Sequence, residues 1–219
     1  MSSPVRIRPI LSEHLGAVAE VHRAAFPESA ITRAGHEATR RYYEWLLIGP
    51  HPESHTIGAF LDERLVGFNF GGRFDGALSG YLRKNRLFLA SRIALRPWLL
   101  LNPTFRGRFA MGADVLQRFR RRTASAPASV KASAEREAAP YGILSIAVDP
   151  AVQGAGVGQA LMRAAEAEAR RRGHERMKLS VHPENTQAVR FYERGGWQRV
   201  DEDSEWNGRM IRPVSPDAT

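Results

Sequence analysis

Three glycines, Gly154, Gly156 and Gly158, alternate with Ala155 and Val157 directly after Gln153. An apolar strand pattern from Ile143 to Val148 runs into them and stops at Asp149-Pro150. An Ala-rich helical pattern leaves them and continues to Arg172. Strand, glycine-rich turn and helix together make an anion site, because free backbone N–H groups and the positive end of a helix dipole point into one concavity. Glycine lets the backbone approach a phosphate with no Cβ in the way. The dinucleotide fingerprint Gly-x-Gly-x-x-Gly does not fit this spacing, and the Gly-Lys-Ser/Thr ending of a P-loop is missing.

A second segment lies downstream, beyond a strand-like run from Arg176 to Val181. Residues 185 to 197 read Asn-Thr-Gln-Ala-Val-Arg-Phe-Tyr-Glu-Arg-Gly-Gly-Trp. Gln-x-x-Gly-x-Gly after a strand, followed by Asn-x-x-Ala-x-x-Phe-Tyr-x-x-x-Gly and an aromatic, resembles the acetyl-CoA-binding core of the GCN5-related N-acetyltransferase (GNAT) superfamily. Trp197 stands in the aromatic slot. The likeness is close over residues 141 to 202 and holds only in outline elsewhere.

The resemblance implies a mixed, mostly antiparallel α/β sheet of about seven strands, flanked by helices. It implies acetyl-CoA as donor, a primary amine as acceptor, and direct attack on the thioester. Residues 153 to 158 would take the pyrophosphate. Ile146, Ala147 and Val148 would lie along the pantetheine arm where their strand splays from its neighbour, and a backbone N–H there would polarise the thioester carbonyl. Asn185 would bond the arm, cap its own helix, or both, with Phe191 beside it. Tyr192 is the candidate acid for the leaving thiolate. Helical spacing puts Phe191 and Tyr192 on adjacent faces, with Phe191 expected inward and Tyr192 reaching the sulfur. An ordinary phenol at about 10 and thiol at about 8.5 make that transfer close to thermoneutral.

The base that strips the ammonium proton is open among Glu28, Glu37, His36, His182 and Ser145 acting through water. Glu28, after the first helix, faces the expected acceptor side. The absence of cysteine excludes disulfides, thiolate metal sites and a cysteine-borne acyl group. His51 and His55 fall in a Pro/Gly-rich loop, not on one helix face, so no metal is expected.

These residues need a frame. Val5 to Ile10 reads as a strand. Ser12 is read as the N-cap of a helix with Leu15, Val18, Ala19, Val21 and Ala25 at its spacing, ended by Phe26-Pro27. A second helix covers His36 to Ile48, with Tyr42, Trp45 and Leu46 inward. Thr56 to Leu61 and Leu65 to Phe70 make a hairpin around a short polar turn. Residues 73 to 139 then form a basic, helical insertion between the third and fourth strands of a single domain. A helix is expected over Met111 to Arg122, a flexible Ala/Ser-rich connector over Thr123 to Ala139, and a frayed tail over 215 to 219.

Charge is uneven. The chain carries a net +9, yet Gly76 to Ala134 alone holds twelve Lys/Arg against one acid, Asp114. Large apolar residues are interleaved with Arg83, Lys84, Arg86, Arg92 and Arg96. This segment reads as a lid over the acceptor site, as an attractor for an anionic acceptor, or as a surface resting on a membrane. A nucleic-acid partner ranks last, as no binding signature accompanies the aromatics. No signal-peptide h-region and no membrane-spanning run are present, so a cytoplasmic protein, membrane-associated through the basic segment at most, is expected. The favoured acceptor is a small amine such as an amino sugar, nucleotide- or lipid-linked. A protein amine is the alternative, as is a regulatory module that binds acetyl-CoA with little turnover. Oligomeric state is left open, a dimer included.

Overall fold

Apolar alternation on either side of Asp62 and Glu63 sets the first half of the sheet. In the computed structural model, which describes residues 4–74, 76–95, 139–200 and 206–214, strands β2 (Glu53–Leu61) and β3 (Arg64–Arg73) pair antiparallel around that turn. Both turn residues have positive φ, 46° at Asp62 and 64° at Glu63. That is the geometry a two-residue turn needs to match the twist of its strands. Strand β1 (Arg6–Pro9) pairs with β2, and β4 (Tyr141–Val148) with β3. Strands β5 (Arg176–Ser180), β6 (Gln198–Arg199) and β7 (Arg209–Pro213) complete a seven-stranded sheet of order β1-β2-β3-β4-β5-β7-β6. The β4–β5 pair is parallel and the other pairs are antiparallel. This is the α/β architecture expected from the motifs.

The pleat divides the strand residues between two faces. Phe60, Phe68 and Phe70 meet helices α1 (Leu15–Ala25) and α3 (His36–Ile48) through Leu15, Val18, Val21, Tyr43 and Leu46. Ile57, Ala59 and Val66 meet helix α6 (Val157–Arg171) through Val157 and Leu161. Helix α7 (Thr186–Arg194) closes the far half, where Tyr192 joins Met177, Leu179, Trp197 and Met210.

Several local expectations need correction. Ser12 caps no helix: it opens a 3-10 turn, Ser12–His14, and α1 follows without a side-chain cap. On α3 the fully buried tyrosine is Tyr43, while Tyr42 and Trp45 are half-buried, because the core stripe runs through Ala38, Thr39, Tyr43 and Leu46. A short helix α2 (Ala30–Ala34), capped by Ser29, fills the stretch between α1 and α3.

After β3 come α4 (Ala77–Lys84) and α5 (Arg86–Leu95). Helix α4 docks on α3: Tyr81 donates to the Ala38 carbonyl at 3.1 Å, and Trp45 Nε1 donates to the Ala77 carbonyl at 2.9 Å. The expected helix Met111 to Arg122, the connector up to residue 138, and the tail 215 to 219 lie outside the described residues. Among the described residues no helix is long and apolar enough to cross a membrane.

Leu161 is fully buried between α6 and the sheet. Leu161→Ala should lower stability by about 2–5 kcal/mol, read as a lower urea midpoint at unchanged slope.

Candidate acyl-transfer site

Strand β4 follows β3 from Gly142 to Val148 but follows β5 only at Tyr141, Gly142 and Ile143. The two parallel strands then part. At the same point the β3–β4 register slips, so that Gly71 faces Ile143 and Phe70 faces Ser145, leaving Leu144 as an extra residue. Such a bulge bends its strand and raises the local twist. The Leu144 side chain is 41% exposed at the opening. Further along, the Asp149 N–H donates to the Val66 carbonyl at 2.8 Å. Alternation from there turns the backbones of Ala147 and Ser145 toward β3, and those of Ile146 and Val148 toward the gap left by β5. Gln153 Nε2 approaches the Val148 carbonyl at 3.4 Å, as that orientation requires.

The glycine turn sits at the end of this gap. Asp149 accepts from the Ala151 N–H at 3.0 Å and from Arg64 at 2.6 Å, which pins the chain as it leaves β4. Gly154 and Gly156 have φ of 84° and 78°, values that L side chains rarely adopt. Gly156 precedes α6 with no side-chain cap, so the N–H groups of the first turn keep no side-chain partner. A Cβ at either glycine would meet nothing within 4 Å, so the concavity bounded by residues 153 to 156 is open. Gly158 is different: its Cβ would lie 3.3 Å from Phe191 Cζ and 3.8 Å from Val148 Cγ2. There the turn touches α7. Gln187 Nε2 also reaches Gln153 Oε1 at 3.4 Å.

Asn185 caps α7, its side chain accepting from the Ala188 N–H at 3.1 Å. The expected burial of the next pair is exchanged in space. Tyr192 is the buried residue, and Phe191 is half-buried against Gly158. The reason is packing: the Tyr192 ring meets Trp197 at 6.0 Å and Phe191 at 5.3 Å between centroids, within the core under β5. Burial pushes the Tyr192 phenol up to about 12, so it holds its proton more tightly than a free phenol.

The candidate bases are not equivalent. The Glu28 side chain is 80% exposed and paired with Arg33. Hydrogen bonds from Arg40 and Arg41 hold Glu37 down at about 2, which leaves it little appetite for a proton. His182 is 73% exposed in the loop after β5, and His36 starts α3. Ser145 alone among them is built into the sheet beside the parting. Its Oγ lies 2.8 Å from Tyr43 Oη, which lies 2.7 Å from His22 Nδ1. Sequence reasoning missed His22 and Tyr43. Tyr43 and Tyr42 are adjacent, and nothing in the helical spacing alone says which is turned inward.

Among the described residues no group of three His, Cys, Asp or Glu is placed to hold a metal ion. Two other concavities, one lined by Arg6, Phe60 and Glu63 and one by Arg190, Arg199 and Trp206, lie away from the β4–β5 opening.

Residues 128–197, which span the parting strands, the glycine turn and α7, match the family model of the acetyltransferase (GNAT) family. The likeness to the GNAT family is carried by that segment, about a third of the chain. The fold of the chain is similar to that of the PaiA N-acetyltransferase of Thermoplasma acidophilum, solved in complex with coenzyme A. The two are 14% identical, with 96% of this chain and 99% of that chain covered and a TM-score of 0.56. An acetyltransferase of Thermus thermophilus is 13% identical over 98% of this chain and 100% of that one, with a TM-score of 0.57. The ribosomal-protein-S18-alanine N-acetyltransferase of Escherichia coli is 14% identical over 98% and 97%, with a TM-score of 0.54. At these identities the likeness is one of fold. No curated protein sequence matches the chain. The GNAT donor, acetyl-CoA, is an elongated anion with an amide-bearing arm. The open glycine turn and the outward-turned backbone of Ile146 and Val148 have the chemistry to receive it.

Proposed function

We propose that the opening between β4 and β5 is the acetyl-transfer site, and that the acceptor is a small primary amine carried on an anionic group, such as a nucleotide- or lipid-linked amino sugar. The parting of β4 from β5 after Ile143, with the glycine turn at its end, is the observation that carries the first part. Backbone N–H groups of Gly154, Gly156, Val157 and Gly158 face the pyrophosphate, aided by the α6 dipole, while the N–H groups of Gln153 and Ala155 stay on the Pro150 and Val152 carbonyls and hold the turn. Ile146 and Val148 bond the arm as a missing strand would. Asn185 and Phe191 close the other side, and Ala147 supports the strand from the core.

Acetyl-CoA supplies an activated acetyl thioester. The chain supplies the rest. The Ile146 N–H points into the opening, where it donates to the carbonyl oxygen as negative charge gathers there. Tyr192 donates its hydroxyl proton to the departing sulfur. Its pKa of about 12 makes transfer to an ordinary thiolate uphill. A sulfur anion in the same dry surroundings is penalised likewise, which narrows the gap.

The acceptor class rests on charge. Arg83, Lys84 and Arg86 are exposed on α4 and α5. Helix α4 is docked on α3, the helix that carries Tyr43 to Ser145. A positive surface thus begins on the side of the sheet where Ser145 faces, and it attracts an anionic carrier.

Acetyl-CoA should raise the melting temperature of the wild-type protein, as a ligand bound only to the folded state does. Gly156→Val should abolish the rise, because valine disfavours φ near 78°; an unchanged rise would place the phosphate elsewhere. Tyr192→Phe should cut kcat by about 10²–10⁴-fold with that melting rise intact. Wild-type kcat in this variant would reduce Tyr192 to packing. Thiol release over a panel of sugar amines, peptides and polyamines tests the acceptor. KM for an anionic amino sugar should rise with salt, since screening weakens exposed attraction, and rise again in Arg83→Gln/Lys84→Gln/Arg86→Gln. Turnover of peptides alone would overturn the assignment.

A further inference from the structure

Behind Ser145 a file of polar side chains crosses the apolar layer between the sheet and helices α1 and α3. Ser145 Oγ, Tyr43 Oη and His22 Nδ1 follow one another at 2.8 and 2.7 Å. The other ring nitrogen, His22 Nε2, lies 3.0 Å from Ser29 Oγ. Tyr43 is fully buried and His22 nearly so, while Ser145 and Ser29 at the two ends are half-buried. The file therefore leads from the strand beside the opening to the α1–α2 junction.

Each hydroxyl carries one proton, so the donors can be assigned by counting from the far end. Ser29 donates to Thr32 Oγ1 at 2.9 Å, so toward His22 it accepts. Neutral His22 is then protonated on Nε2, and Nδ1 is the lone pair that accepts from Tyr43. The one proton of Tyr43 being spent on His22, Tyr43 accepts from Ser145. Ser145 Oγ is left with a lone pair for a donor outside the file. Both hydroxyl links, Ser145 to Tyr43 and Tyr43 to His22, point the same way, toward the imidazole.

We infer that Ser145, Tyr43 and His22 are a proton relay that deprotonates the incoming ammonium, with His22 as the terminal base. The inference rests on the acetyl-transfer reading of the opening. An N–H bond of the ammonium breaks as an O–H bond forms at Ser145. The original Ser145 proton passes to Tyr43 Oη, and the Tyr43 proton passes to His22 Nδ1. The amine keeps the electron pair of the broken bond, and that pair attacks the thioester carbon. One positive charge has moved from ammonium to imidazolium, and nothing else is consumed. Both N–H groups of the imidazolium find acceptors, Tyr43 Oη and Ser29 Oγ. Burial holds the Tyr43 phenol well above its ordinary range, so it passes protons as a neutral hydroxyl and never rests as phenolate. A chain of three groups suits a base that lies too deep to touch the amine itself.

A network present only to satisfy buried polar groups would look similar, and the choice of acceptor separates the two. Tyr43→Phe cuts the file and keeps the ring against Phe68 and Phe70; Ser145→Ala is the second variant. The full-length protein is assayed by thiol release with the best alkyl amine of the panel, protonated at pH 7. The assay is repeated with its β,β,β-trifluorinated analogue, whose amine is largely neutral at that pH. For a relay, kcat with the protonated amine falls by about 10²-fold or more in both variants, while kcat with the neutral amine and the acetyl-CoA melting rise hold. Equal losses with both amines, or no loss with either, overturn the relay. A wild-type protein that releases no thiol with any amine removes the acetyl-transfer reading and the relay with it. Normal wild-type turnover combined with indifferent variants removes the relay alone.

Discussion

Past Ile143, the outward edge of β4 has no strand beside it among the described residues. A sheet interior normally leaves no backbone N–H or carbonyl unpaired, and an open edge in mid-sheet is a gap that something must fill. The rest of the molecule is arranged around this gap. The bulge at Leu144 sits where the strands part. The sheet beyond the gap is carried on by β5, β7 and β6, backed by α7. The glycine turn closes one end, and the two helix layers keep the strands from collapsing together. In the proposed reading an amide-bearing arm fills the gap, pairing with Ile146 and Val148 as a strand does.

Two buried tyrosines lie on opposite faces of the sheet. Tyr192 comes from α7 and Tyr43 from α3, and both are desolvated. Desolvation favours the neutral phenol in each. Their surroundings differ more than their chemistry. Tyr192 packs against Phe191 and Trp197. Tyr43 packs among Phe68 and Phe70 and has polar partners on both sides.

What can be read from the sequence follows the range of the forces involved. The glycine turn, the Asn185 cap and the hairpin at Asp62 are local, and their residues announce them. The bounds of helix α3 at His36 and Ile48 are legible because Gly35 and Gly49 flank it. Its inward face is not, since Tyr42, Tyr43 and Trp45 are all large and the deciding partners, Phe68 and Phe70, lie on a distant strand. The exchange of Phe191 and Tyr192 has the same origin: Trp197 and Gly158 decide it, not the helix. The file from His22 to Ser145 spans three elements, and no spacing in the chain encodes it.

The contact between Gly158 and Phe191 binds the two motifs in a way that outlasts any single sequence. A Cβ at position 158 would stand 3.3 Å from the Phe191 ring, so the volume at one site limits the volume at the other. Over evolutionary time the pair should drift together: a larger residue at 158 should be found only with a smaller one at 191. The stretch between them, with β5 inside, is under no such tie. Divergence in this chain's relatives should therefore concentrate in that intervening stretch, while the two ends change as one.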